Sequence, residues 1–181
     1  MAVKILTKKN LSKDQKIFLE SEICMLRKVN CALIPKLNKV YEDDSNIYLT
    51  FPYFHGEDLL RIVLTSHLEE MAIATLIYHI LKGLKQLHSA NYFHGNLKLE
   101  NIIFSSAKKE NEIYLINPRY QEELNNSFRD KLIKKGSNMY IAPEILEGKP
   151  FGTISDMFSI GCCIFYIVFG RYPYKSITNT Q

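Results

Sequence analysis

The chain has 181 residues, 46% of them hydrophobic and 23% charged, with a formal charge of +4 at pH 7. That composition is ordinary for a soluble globular chain and suits one domain with a core of its own. The lysines are scattered apart from short pairs such as Lys8-Lys9, Lys108-Lys109 and Lys134-Lys135, so the positive charge reads as solvated surface and no nucleic-acid partner is expected.

Residues 2–6 form a short apolar run interrupted by Lys4, which reads as a strand with a lysine on one face. Residues 13–29 carry helical periodicity in Ile17, Phe18, Ile23, Leu26 and Val29, with Ser12 or Ser21 able to bond free amides near the helix start. Ile34-Pro35 breaks this helix. Residues 37–41 and 46–51 alternate as two antiparallel strands around the polar turn Glu42-Asp43-Asp44-Ser45-Asn46. The strongest helix signal spans residues 68–89, where Ile73, Leu76, Ile77, Ile80, Leu81, Leu84 and Leu87 line one broad face.

A polar turn follows this helix and brings His94, Asn96, Lys98 and Asn101 together before an apolar run that ends at Phe104 and reads as a short strand. A loop held between a helix and a strand is well placed to aim polar groups at a ligand. Residues 105–111 read as a polar turn, residues 112–116 as the next strand, and residues 120–135 as polar and irregular. The most hydrophobic run, residues 159–169, is too short to span a bilayer and follows Asp156. It fits a helix buried on all sides in a soluble core.

The cysteines Cys24, Cys31, Cys162 and Cys163 lack the paired spacing of a zinc site and read as buried free thiols in a reducing compartment. His88 and His94 stand on different elements with no thiolate nearby, so no metal is expected there. The first residues have no apolar core of signal-peptide length, and an intracellular location, cytoplasmic or otherwise, is expected.

Several stretches resemble the signature motifs of the eukaryotic protein kinases. His94, Leu97, Lys98 and Asn101 match the catalytic-loop pattern H-R-D-L-K-x-x-N, and Ala142-Pro143-Glu144 matches A-P-E. Ser155-Asp156-Met157-Phe158-Ser159-Ile160-Gly161 resembles the S-D-x-W-S-x-G opening of the family's central helix. Ala2-Val3-Lys4-Ile5 resembles the strand that carries the ATP lysine. The motifs also come in the family's order, so the chain resembles a kinase domain of the Ser/Thr type, nearest in appearance to the calcium/calmodulin-dependent group.

The resemblance implies an α+β, two-lobed fold: residues 1–51 in a small lobe, residues 52–58 as the hinge and residues 59–181 in a large lobe. It implies truncation at both ends, without the Gly-rich loop and its two strands and without the last helices of the large lobe. An exposed sheet edge is then expected, and Glu144 is expected to lack an arginine partner. ATP is the implied cofactor. Lys4 would bind its phosphates and Glu22, preferred over Glu20, would pair with Lys4. Phe51 would back the pocket, the Phe54 amide would meet the base, Asp58 would lie near the ribose, and Ala2 and Ile103 would complete the cofactor set. Asp156 would brace the catalytic loop through its backbone amides.

The departures fall on the chemistry. Asn96 stands where the family has its catalytic aspartate, beside Lys98, and Asn117-Pro118-Arg119 stands where it has D-F-G, 21 residues after Asn96. Asn101 and Asn117 are then the metal positions, and Mg²⁺ is expected to be weak or absent because the ion prefers anionic oxygen. Gly95 removes the arginine that would grip a phosphorylated activation loop. The leading expectation is a pseudokinase that acts as a regulatory or interaction module with residual ATP binding and a protein partner. An active Ser/Thr kinase acting on a protein substrate and a fragment of a longer kinase are the alternatives.

Overall fold

The computed structural model describes residues 1–106, 112–118, 137–150 and 152–174. Its first sheet contains β1 (Ala2–Thr7), β2 (Lys39–Glu42) and β3 (Asn46–Phe51), antiparallel throughout in the order β1-β3-β2. Lys4 lies opposite Leu49 and alternates with Val3 and Ile5, which are exposed on the other face. The β2–β3 turn is tied by the Asp43 carboxylate, which accepts from the Ser45 and Asn46 amides and the Tyr48 hydroxyl. Among the described residues β1 pairs on one side only, as expected of an exposed edge.

Helix α1 (Lys13–Lys28) starts at Ser12, not Ser21. The Ser12 hydroxyl accepts from the Gln15 amide while the Gln15 side chain accepts from the Ser12 amide. Its buried face is Leu19, Met25 and Leu26. Ile17 is exposed because it sits on the opposite side of the helical turn, and Cys24 is exposed as well, contrary to the expectation of buried thiols. Cys31, Cys162 and Cys163 are buried.

Two helices follow β3. The short α2 (Leu59–Thr65) has no signal in the sequence periodicity, whereas α3 (Glu70–Ser89) begins two residues later than its periodicity suggests. Leu76, Ile80, Leu84 and Leu87 form its buried line, but Leu81 is turned out to the surface. A hairpin of β4 (Ile102–Phe104) and β5 (Ile113–Leu115) comes next. The short α4 (Pro143–Leu146) precedes α5 (Thr153–Phe169), which ends at Gly170 in the left-handed region at φ 65°. Complete burial of α5 is not found. Ser155, Asp156, Ile160, Cys163 and Ile167 face the core while Ile154, Met157, Val168 and Phe169 are exposed.

One core runs from Met25 and Leu26 through α3 to Leu97, Leu99, Ile102 and Leu115 and on to Ile160 and Cys163. The segment after α1 joins the sheet to this core: Cys31 Sγ donates to the Gly83 carbonyl at 3.4 Å, and the Leu33 carbonyl accepts from the Leu115 amide at 2.7 Å. Residues 52–58 then run along β4, where His55 donates to the Ser105 carbonyl and Phe104 donates to the Glu57 carbonyl. Residues 120–135, Arg119 and Gly136 lie outside the described residues.

Candidate active site

The polar turn after α3 is held from below. Asn91 reverses the chain at φ 58°, and Gly95 sits at φ 69°, a region that glycine enters without steric cost. Asp156, 1% exposed, reaches up from the first turn of α5 and accepts from the His94 amide at 2.7 Å and the Gly95 amide at 2.8 Å. His88 Nε2 lies 2.9 Å from the same carboxylate. His94 is fully buried, and Leu97 and Leu99 anchor the turn in the core. Asn96 and Lys98, which alternate with these leucines, are left in the cleft.

Above the turn, β1 and α1 place a second group. Lys4 Nζ donates to both carboxylate oxygens of Glu22, at 2.6 and 3.0 Å. Glu22, rather than Glu20, is therefore the partner. The pair joins sheet to helix in partial burial, with the Glu22 side chain 15% exposed.

The third group is a ring of amides. Asn96 Nδ2 donates to the Asn117 carbonyl at 2.8 Å, Asn117 Nδ2 donates to Asn101 Oδ1 at 3.3 Å, and Asn101 Nδ2 donates to the Asn96 carbonyl at 2.8 Å. Within the ring each asparagine gives one hydrogen bond and receives one. Asn117 takes part from the left-handed region, at φ 55°, which Asn tolerates better than most residues. The Ile116 amide, donating to the Asn101 carbonyl at 2.9 Å, ties the end of β5 to the same turn.

Two adjoining cavities open onto these groups. One of about 250 Å³ is walled by Ala2, Leu26, Phe51, Phe54, Ile103 and Ile116 and is mainly apolar. The other, of about 390 Å³, takes in Asn96, Lys98 and Asn101. Lys4, Glu22, Asn117 and Pro118 line both. A flat, weakly polar ring fits the first, and an anionic group fits the second beside Lys4 and Lys98.

Of the residues named from sequence, Ala2, Lys4, Glu22, Phe51, Phe54 and Ile103 meet at the apolar cavity, and Asn96, Lys98, Asn101 and Asn117 at the polar one. Asp58 lines neither. Its carboxylate accepts from the Arg61 amide at 3.0 Å and caps α2. Sequence reasoning missed Leu26 and Ile116 as cavity walls; their signals were adjacency to Glu22 by one helical turn and to Asn117 by one residue. Glu144 is not left alone either, because the Ser155 hydroxyl donates to it at 2.8 Å.

A sheet with a single braced helix, a cleft above a helix-to-strand turn and a lysine–glutamate pair over that cleft are the features of a kinase-like α+β fold. The sequence profile of the family described as protein kinase domain matches residues 1–181, and the chain belongs to that family. It is 32% identical over 174 residues to calcium/calmodulin-dependent protein kinase type 1 of Macrobrachium nipponense, covering 96% of this chain and 49% of that protein. Identity to human serine/threonine-protein kinase D3 is 28%, over 97% of this chain and 20% of the relative. The autoinhibited serine kinase domain of the giant muscle protein titin superposes with a TM-score of 0.78 at 23% identity, over 98% of this chain and 54% of that one. The structure of Rad53 residues 1–466 in complex with AMP-PNP superposes at 0.73 with 24% identity, over 98% and 43%. The chain thus spans half or less of the length of these curated relatives. Among the described residues no helix is long and apolar enough to cross a membrane.

Proposed function

We propose that this chain is a nucleotide-binding kinase domain with impaired phosphoryl transfer, which works through a protein partner and not through turnover. In this reading residues 1–51 and 59–181 act as two lobes joined by residues 52–58. Adenine enters the apolar cavity between Ala2 and Ile103, and the phosphates of ATP reach Lys4 and Lys98. The observation that carries it is the Asn96 side chain, whose NH₂ group is committed to the Asn117 carbonyl at 2.8 Å. A neutral amide accepts no proton at physiological pH, and loss of a general base costs about 10²–10⁴ in rate.

The intact Lys4–Glu22 pair favours a second reading, a slow Ser/Thr kinase acting on protein hydroxyls. Both readings require nucleotide in the cleft. ATP is expected to raise the melting temperature of the chain, because a ligand bound only by the folded state stabilises it. Lys4→Met should abolish that rise; it also strips the partner from Glu22, whose side chain is 15% exposed, at an expected cost to the unliganded chain of about 1–3 kcal/mol. An equal rise in Lys4→Met would remove Lys4 from the nucleotide site and defeat this reading.

A further inference from the structure

With nucleotide in the cleft, the reading on which this inference rests, the ring of asparagines decides how the site meets phosphate charge. Three oxygens face the junction between the turn and the end of β5: the carbonyls of Asn96 and Asn117 and Oδ1 of Asn101. All three already accept from an asparagine amide. The amide orientations are fixed by chemistry. A backbone carbonyl only accepts, so Asn96 and Asn101 must turn nitrogen toward it, and Asn101 Oδ1 is left to receive Asn117 Nδ2.

Magnesium, the ion the family's chemistry uses, takes hard and preferably anionic oxygen in near-octahedral array. No carboxylate belongs to this ring. Glu22, the carboxylate on the same cavity, has both oxygens on Lys4 Nζ. Among the described residues no group of three His, Cys, Asp or Glu side chains comes together to hold a metal ion. The donor set does not fit magnesium.

We propose that the chain binds the polyphosphate of a nucleoside triphosphate without a divalent cation. The asparagine ring takes over the clamping of the turn to the end of β5, and Lys4 and Lys98 supply the counter-charge. Amides at 96 and 117, where the family pattern has carboxylates, make the site more positive by two charges, the same change that a bound divalent ion would bring. The ring also requires amides. A carboxylate oxygen at 96 would face the Asn117 carbonyl oxygen across the 2.8 Å that a hydrogen bond now spans.

The test is calorimetric titration of the full chain with ATP, once in EDTA and once in excess magnesium. The two dissociation constants are expected to agree within about threefold, since no protein group gains from the ion. Binding seen only with magnesium overturns the proposal and leaves the nucleotide site standing. Absence of binding in both buffers, with the chain folded by circular dichroism, overturns the nucleotide reading and this one together. Asn117→Asp, at a left-handed position that aspartate tolerates, is expected to gain cation dependence, with magnesium tightening ATP about tenfold or more. Equal binding by that variant in the two buffers would remove the role given to the ring. The wild-type comparison decides the proposal whether or not the variant folds.

Discussion

At the scale of single residues, what distinguishes this site is that its polar groups satisfy one another. Asn96→Asp would restore the family's carboxylate and still break the ring, leaving acceptor against acceptor. This hydrogen bond is exposed, so water can take over both groups, and we expect a stability loss of about 1 kcal/mol or less in urea unfolding, the net worth of one ordinary hydrogen bond, with no gain in phosphate transfer. Burial governs the thiols differently. It pushes the Cys162 thiol up to about 11 and the Cys163 thiol well above its ordinary value of 9.0, and burial followed by the Tyr172 hydrogen bond raises the Tyr140 phenol. All three folded-state values lie above the unfolded ones, so their contribution to stability is complete below about pH 9 and is lost as pH rises toward 11 and beyond. A melting-temperature profile should fall on that alkaline limb. Maleimide at neutral pH should label exposed Cys24 and spare Cys31, Cys162 and Cys163 until the chain unfolds. The Lys4–Glu22 pair was legible in sequence because strand lysine and helix glutamate are part of a motif. The asparagine ring was not, since each partner depends on a rotamer and on the left-handed turn at Asn117, which no spacing encodes.

At the scale of elements, the turn that carries Asn96 and Lys98 is only as well placed as α5 makes it. Asp156→Ala leaves the His94 and Gly95 amides without their acceptor and should cost roughly 2–5 kcal/mol, read from the urea midpoint. The connection after β3 has a similar dependence on Gly56, where an added Cβ would lie 2.3 Å from the Phe104 carbonyl oxygen. Gly56→Ala must therefore push β4 away, at an expected cost of about 1–3 kcal/mol. The long elements α1, α3 and β3 were readable because their apolar residues repeat with a clear period. The seven residues of α2 were not, since Leu59, Leu60, Ile62 and Val63 form a run without one. Hydrophobicity alone also overstated burial in residues 159–169 of α5: content does not say how many faces of a helix are covered, and Phe169 is 60% exposed.

At the scale of the whole molecule, the cleft exists because residues 31–35 carry the sheet and α1 back onto the β4–β5 hairpin. That places Lys4 over the turn braced by α5. The family was legible from the order of its motifs, and the fold followed from the family. The chemistry has to be argued from the individual side chains, because the positions that differ are the ones that would take the proton and the metal. The most direct measurement of the central claim is the rate of γ-phosphate incorporation into a basic protein substrate, run beside the same chain carrying Lys4→Met. Incorporation at the Lys4→Met background, while ATP still shifts the wild-type melting temperature, is the expected result. Incorporation well above that background and lost in Lys4→Met would contradict it and make the chain an active kinase.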